Sequence, residues 1–209
     1  MTELRVYLPI HDLQPQFAAY LSTPTRGRGY PPFESEHSLI IEVSPALAIH
    51  RIVDLALKAA PDMEPGILFT ERQFGLLELH SADRGELEAA GAAILDGIGA
   101  KPSDQLAPRI LFQDIIADIA DQHAIILNRS RDASMLVPGA SLLVYEMAPA
   151  LFACVAANEA ERAAPNALLN DVQMMGTSGR VFMSGTMEDL ESAREAITRT
   201  LNAIEGRSD

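Results

Sequence analysis

Asp114, Asp118, Asp121 and His123, in the stretch DIIADIADQH, are residue types that ligate metal ions, and the i, i+4 spacing of the first two would set both carboxylates on one helix face. The same alternation of Asp with Ile also suits an amphipathic helix with a solvated side, and that plainer reading is preferred. The stretch GTSGR, residues 176–180, has the glycine and hydroxyl content of a phosphate loop. Such loops hand over to a helix N-terminus, whereas the RVFMSG that follows reads as a strand. TRGRGYPP, residues 25–32, could be a small basic loop for nucleic acid, but a Gly/Pro surface loop fits better in a chain of net charge -13. Cys154 is the one cysteine and lies in the apolar run ALFACVAA with no base beside it, which predicts a packed core thiol. His11, His37, His50, His80 and His123 have no metal-ligand spacing between them. These readings leave no catalytic residue, no metal site and no cofactor.

One further stretch places charge where a plain hairpin turn is expected. TERQFG, residues 70–75, sets Glu71 and Arg72 side by side between two apolar, strand-like runs and follows them with Gln73 and Phe74.

The elements that must position these residues follow from composition and repetition. With 209 residues, the chain has room for one large domain or two of about 100 residues each. An apolar fraction of 48% against 22% charged residues describes a chain that folds. Sixteen Lys and Arg against 29 Asp and Glu oppose nucleic acid or an anionic membrane as a partner. A single cysteine allows no intrachain disulfide and fits a reducing cytoplasm. The opening MTELRVYL lacks the layout of a secretory signal, and no apolar run approaches the roughly 18 residues that span a bilayer, so a soluble protein is expected.

The chain is written twice. Residues 42–61, EVSPALAIHRIVDLALKAAP, and 146–165, EMAPALFACVAANEAERAAP, share 8 of 20 positions at an offset of 104. The same offset aligns Arg5 with Arg109 and Gly75 with Gly179, and it becomes 103 beyond a turn near Arg84 and Gly85. A boundary near KPSDQLAP, residues 101–108, divides a first domain, 1–104, from a second, 105–209. Each half reads as strand, helix, variable loop, strand, proline-opened helix, two adjacent strands and a last helix; in the first half these fall near 4–9, 12–21, 38–43, 45–60, 66–71, 74–80 and 84–98. Leu47, Ile49, Ile52, Val53 and Ala56 recur at helical spacing as a core-facing stripe. The plan is α+β, used twice.

With ALKAAP and AERAAP each followed by paired strands, by FG or SG at the turn and by ELEAA or DLESA, the sequence resembles the bacterial microcompartment shell proteins. Two copies in one chain resemble the tandem-domain members, three of which make a six-sided tile. LPIH, residues 8–11, is similar to a segment that closes the usual single domain but here opens it, so the order looks circularly permuted; Ile10 stands where the family often has arginine, and the second half reads FQDI at 112–115. The resemblance spans about 180 of the residues. It implies two tandem ferredoxin-like shell domains in a pseudohexameric trimer that can stack, meets other shell proteins, encloses no active site and resides in the shell within the bacterial cytoplasm. It also implies that the turn between the paired strands faces the symmetry axis. Glu71, Arg72, Gln73 and Phe74 in one half, with Gly176, Thr177 and Ser178 in the other, would then line a gated pore for small metabolites. Lys58 and Arg162, at one helical position in both copies, would lie at the tile edge. Two other classes stay open beside it. An enzyme using carboxylates such as Asp114 or Glu71 predicts a deep pocket. A ligand-binding or regulatory module of ferredoxin-like repeats predicts a small molecule between the halves.

Overall fold

A computed structural model of the chain describes residues 2–23 and 29–208, except the side chain of Glu71. Residues 25–28 of the candidate basic loop thus lie outside the described residues. The chain forms two compact units, one of Met1–Ala107 with Glu205–Asp209 and one of Pro108–Ile204.

The first unit runs β1 (Glu3–Ile10), α1 (Pro15–Leu21), β2 (His37–Ser44), α2 (Ile49–Ala59), β3 (Glu64–Glu71), β4 (Phe74–Ser81) and α3 (Arg84–Ile98). The second repeats it as β5 (Arg109–Ile116), α4 (Asp121–Asn128), β6 (Ser141–Ala148), α5 (Phe152–Ala163), β7 (Leu168–Gln173), β8 (Gly179–Gly185) and α6 (Met187–Ala203). Each has one antiparallel sheet, ordered β1-β2-β4-β3 or β5-β6-β8-β7. In the first unit, alternate residues Leu39, Ile41 and Val43 of β2 with Leu77 and Leu79 of β4 meet Ile49, Ile52 and Ala56 of α2 and Leu87, Ala90 and Ile94 of α3. Period two on the strands and 3.6 on the helices put these side chains into one layer. In the second unit α5 is buried mostly through alanines, Ala153, Ala156, Ala157 and Ala160, with Cys154 fully inside as expected. The α3 and α6 starts confirm the change of offset: Asp83 accepts from the Gly85 amide and Thr186 from the Asp189 amide, and 186 less 83 is 103. Side-chain acceptors at such positions satisfy amides that the helix leaves unpaired.

Three expectations need correction. Asp114 and Asp118 share no helix face: Asp114 is in β5, and Asp118, at φ 50, is in the turn before α4. Apolar–acidic alternation over a short run suits a strand as well as a helix, and here pairing with β6 decides. Arg5 is not the counterpart of Arg109. Glu3 pairs with Ser44 and Arg109 with Ala148, so β1 and β5 match at an offset of 106 while β2 and β6 match at 104. Arg5 therefore corresponds to Leu111. Leu47 leaves the stripe: it sits in a short 3-10 turn, Ala46–Ala48, and is 73% exposed, while Ile49, Ile52 and Ala56 are buried.

The edges of the first sheet are closed by its own chain. The Leu106 amide donates to the Arg5 carbonyl, Gln105 Oε1 accepts from the Tyr7 amide, and Leu106 forms a parallel bridge with Arg207. The Arg207 amide donates to the Gln105 carbonyl at 2.7 Å, and its guanidinium reaches Glu3. At the other edge, the Gly29 and Tyr30 amides donate to Gly66 and Pro65; Ala133 and Ser134 do the same to Asn170 and Leu169 on β7. Covered edges deny other chains a template for strand addition.

The first sheet also buries charge. Glu78 and His80 project from the side opposite α2 and α3; Ser38 Oγ donates to Glu78 Oε1 at 2.7 Å, and His80 Nδ1 lies 3.2 Å from both Glu78 oxygens. The second unit has Phe182 and Ser184 at these register positions. Burial disfavours the imidazolium, but the Glu78 hydrogen bond and the charges of Glu78, Glu36 and Glu64 outweigh it and hold His80 above the usual histidine range. The folded value is raised, so this stabilisation is complete below the unfolded histidine value and is lost as pH rises through the folded one. Replacing His80 alone by leucine leaves a buried carboxylate without its partner and costs about 3–5 kcal/mol. The joint change Glu78→Phe with His80→Ser costs less, and urea unfolding at pH 6 and pH 9 measures both, with the wild-type slope against pH absent from both variants.

Candidate functional site

The two hairpins are built on one register. Thr70 pairs with Gly75 and Glu71 with Phe74, leaving Arg72 and Gln73 as the turn; in the second unit the last pair is Gln173 with Arg180, equivalent to Phe69 with Leu76. Both β3 and β7 carry a bulge at the same place, between Pro65 and Ile67 and between Leu169 and Asp171. Gly75, second in β4, and Gly179, first in β8, have to be glycine because a Cβ there would overlap the carbonyl oxygen of Ala46 or Ala150 at a helix start. The tips then diverge. The first is a two-residue turn with Arg72 at φ 45, a left-handed conformation that a side-chain-bearing residue adopts at a cost. The second is a five-residue loop, Met174–Ser178, with Gly176 at φ 111.

A glutamate one strand away supports each tip. Glu42 of β2 accepts from Arg5 Nε at 2.8 Å, and the Arg5 guanidinium lies 3.8 Å from the centroid of the Phe74 ring, a cation–π contact at the hairpin base. Glu146 of β6 accepts from Ser178 Oγ at 2.7 Å and from Arg180 Nε at 3.0 Å. The Ser178 hydrogen bond, with that of Arg180 and its charge, holds the Glu146 carboxyl below its ordinary range against the opposing effect of burial. Arg180 Nη1 also donates to Gln173 Oε1 at 2.8 Å.

Sequence-expected residues thus gather at two hairpin tips: Glu71, Arg72, Gln73 and Phe74 at one, Gly176, Thr177 and Ser178 at the other. The Glu71 backbone ends β3, and its side chain lies outside the described residues. Lys58 and Arg162 occupy the last turns of α2 and α5, facing Asp54 at 2.6 Å and Glu159 at 3.4 Å within their own helices. Glu42 and Glu146 were missed, although each opens its copy of the repeat, EVSP and EMAP. An acidic residue retained at a strand position was the signal. No group of three or more His, Cys, Asp or Glu is placed to hold a metal among the described residues, and no described helix is long and apolar enough to cross a membrane.

Comparison with known proteins agrees with this geometry. Residues 4–104 match the family CsoS1D N-terminal domain. The chain is 39% identical over 207 residues to the carboxysome shell protein CcmP of Synechococcus elongatus, covering 98% of this chain and 94% of that one. It is 36% identical over 209 residues, all of both chains, to the carboxysome shell protein CsoS1D of Hydrogenovibrio crunogenus. Among solved structures, the double ringed trimeric shell protein MSM0271 of the RMM microcompartment superposes with a TM-score of 0.96 at 60% identity over 100% of both chains. The fused permuted hexameric shell protein MSM0275 of the same microcompartment gives 0.92 at 43%, over 99% of this chain and 100% of that one. Two sheets in one register, repeated hairpin tips and these likenesses over the whole chain make it a member of the tandem-domain shell proteins of bacterial microcompartments.

Proposed function

We propose that this chain is a structural tile of a microcompartment shell in the bacterial cytoplasm, acting without turnover. Three copies close a pseudohexamer whose central pore is lined by the two kinds of hairpin tip in alternation. The observation that carries this reading is the shared register of the hairpins with unlike chemistry at their ends, Glu71-Arg72-Gln73 against Gly176-Thr177-Ser178. Two sorts of residue at the axis would let one move while the other frames the opening. Three Arg72 side chains converging there repel by about 4 kcal/mol per pair at 4 Å and an effective dielectric near 20. Glu71 of the adjacent subunit offsets that repulsion in the closed state, and swinging both side chains into water opens the pore. The hollow beside β7, lined by Asn128, Arg131, Asn170 and Asp171, holds about 30 Å³, room for water rather than a metabolite.

The edge role of Lys58 and Arg162 rests on their shared helical position. Lys58 is well exposed, and its pairing with Asp54 is of the i, i+4 surface kind that contributes little, so its long stem is available to lie along a neighbour and donate to backbone carbonyls. Stacking of two trimers, the state in which MSM0271 is described, fits the exposed Ile125, Ile126, Met135 and Val137 of the β5–β6 connection.

Glu71→Ala with Arg72→Ala preserves the trimer and leaves the pore open, so reconstituted shells pass bulkier metabolites; closed pores in that variant by cryo-electron microscopy would reject the gate. Lys58→Ala with Arg162→Ala retains trimers and loses extended sheets in negative-stain micrographs, and intact sheets would reject the edge role. Ile126→Glu halves the assembly mass measured by light scattering, from two rings to one; an unchanged mass would assign stacking to another surface.

A further inference from the structure

We propose that Glu146 and Arg180 are positioning residues that fix the Met174–Ser178 loop as the immobile part of the pore rim, leaving the Arg72–Gln73 turn as the only moving part. This rests on the reading of both tips as pore-lining.

The argument lies in where each copy keeps its arginine. Glu42 and Glu146 are equivalent, at an offset of 104 and in matched register. In the second copy the arginine that meets this carboxylate comes from β8, beyond the loop. Arg180 contacts Glu146 through Nε at 3.0 Å, Gln173 through Nη1 at 2.8 Å and Ser178 through Nη2 at 3.3 Å. Gln173 precedes the loop and Ser178 ends it, so one guanidinium ties the neck from both sides. Ser178 Oγ adds its own bond to Glu146 at 2.7 Å. Met174, the first loop residue, is buried with its sulfur 3.9 Å from Cys154 Sγ in the core. A single half-exposed ion pair would hold little, but a carboxylate shared by a hydroxyl and a guanidinium that also bridges the loop ends restrains several torsions together.

The first copy cannot make this tie. Its residues at the places of Arg180, Gln173 and Ser178 are Leu76, Phe69 and Phe74. Its arginine comes instead from β1, where Arg5 joins Glu42 and stacks on Phe74. That contact grips the hairpin base and stops one residue short of the turn. The second copy has Leu111 at the Arg5 position, so each copy has one arginine at its glutamate, on opposite sides of the glutamate's strand.

Hydrogen–deuterium exchange on the intact assembly tests the brace. In Arg180→Leu, which installs the residue of the first copy, amides 175–178 exchange about tenfold faster while 70–75 keep their rates. Ser178→Ala, which removes one donor and preserves the ion pair, gives a smaller rise at the same amides and serves if Arg180→Leu does not assemble. Arg5→Leu speeds exchange at 71–74 and leaves 175–178 unchanged. Unaltered exchange at 175–178 in both Arg180→Leu and Ser178→Ala would overturn the proposal. Shell permeability to a small neutral solute separates brace from rim: it rises in Arg180→Leu if the loop lines the pore, whereas faster exchange with unchanged permeability keeps the brace and overturns the rim.

Discussion

The absence of a side chain at Gly75 and Gly179 is the constraint on which each unit depends. At both, the backbone of the hairpin's second strand presses against the start of the preceding helix, and a Cβ would overlap a carbonyl oxygen. That contact seats β4 and β8 against the helix starts. The central β2–β4 and β6–β8 pairings then have one register, the helices lie at one height on the sheet, and the chain ahead of each glycine forms the end of the hairpin. Fixed roots allow the two tips to differ in length and chemistry at no cost to the core.

Much of this was legible in the sequence because repetition and periodicity are physical. The offset of 104 follows from two copies of one register. Its change to 103 follows from one residue in a turn, and the capping residues Asp83 and Thr186 mark that place. Cys154 reads as core from its apolar neighbours, and it is. What could not be read was set by long-range pairing. The short run from Asp114 to Asp118 carries both strand and helix periods, and only its partner β6 chooses. A two-residue shift of β5 relative to β1 is invisible where both are short and apolar, so Arg5 was matched with Arg109. Leu47 has the right spacing but sits in the 3-10 turn before the helix proper, where the period is not 3.6.

The hairpin tips were legible as positions but not as supported structures. Glu42 and Glu146 act across a strand, and the arginine each meets comes from a different strand in each copy, so a motif of adjacent residues cannot reveal either pair. Such relocation makes two units of one fold chemically unlike at their hairpins. The His80–Glu78 pair is another divergence of this kind, with Phe182 and Ser184 opposite. Relocated charge, more than altered backbone, distinguishes the copies.

Residues 205–207 bear on the order in which the two units can be completed during synthesis. Residues 205–207 close the β1 edge of the first unit, whose remaining strands and helices are all in place by residue 98. A ribosome making this chain releases the N-terminal half early and the segment that finishes it only after the second unit. The first-made unit is therefore the last one finished, and throughout translation of the second unit its outer strand lacks part of its cover.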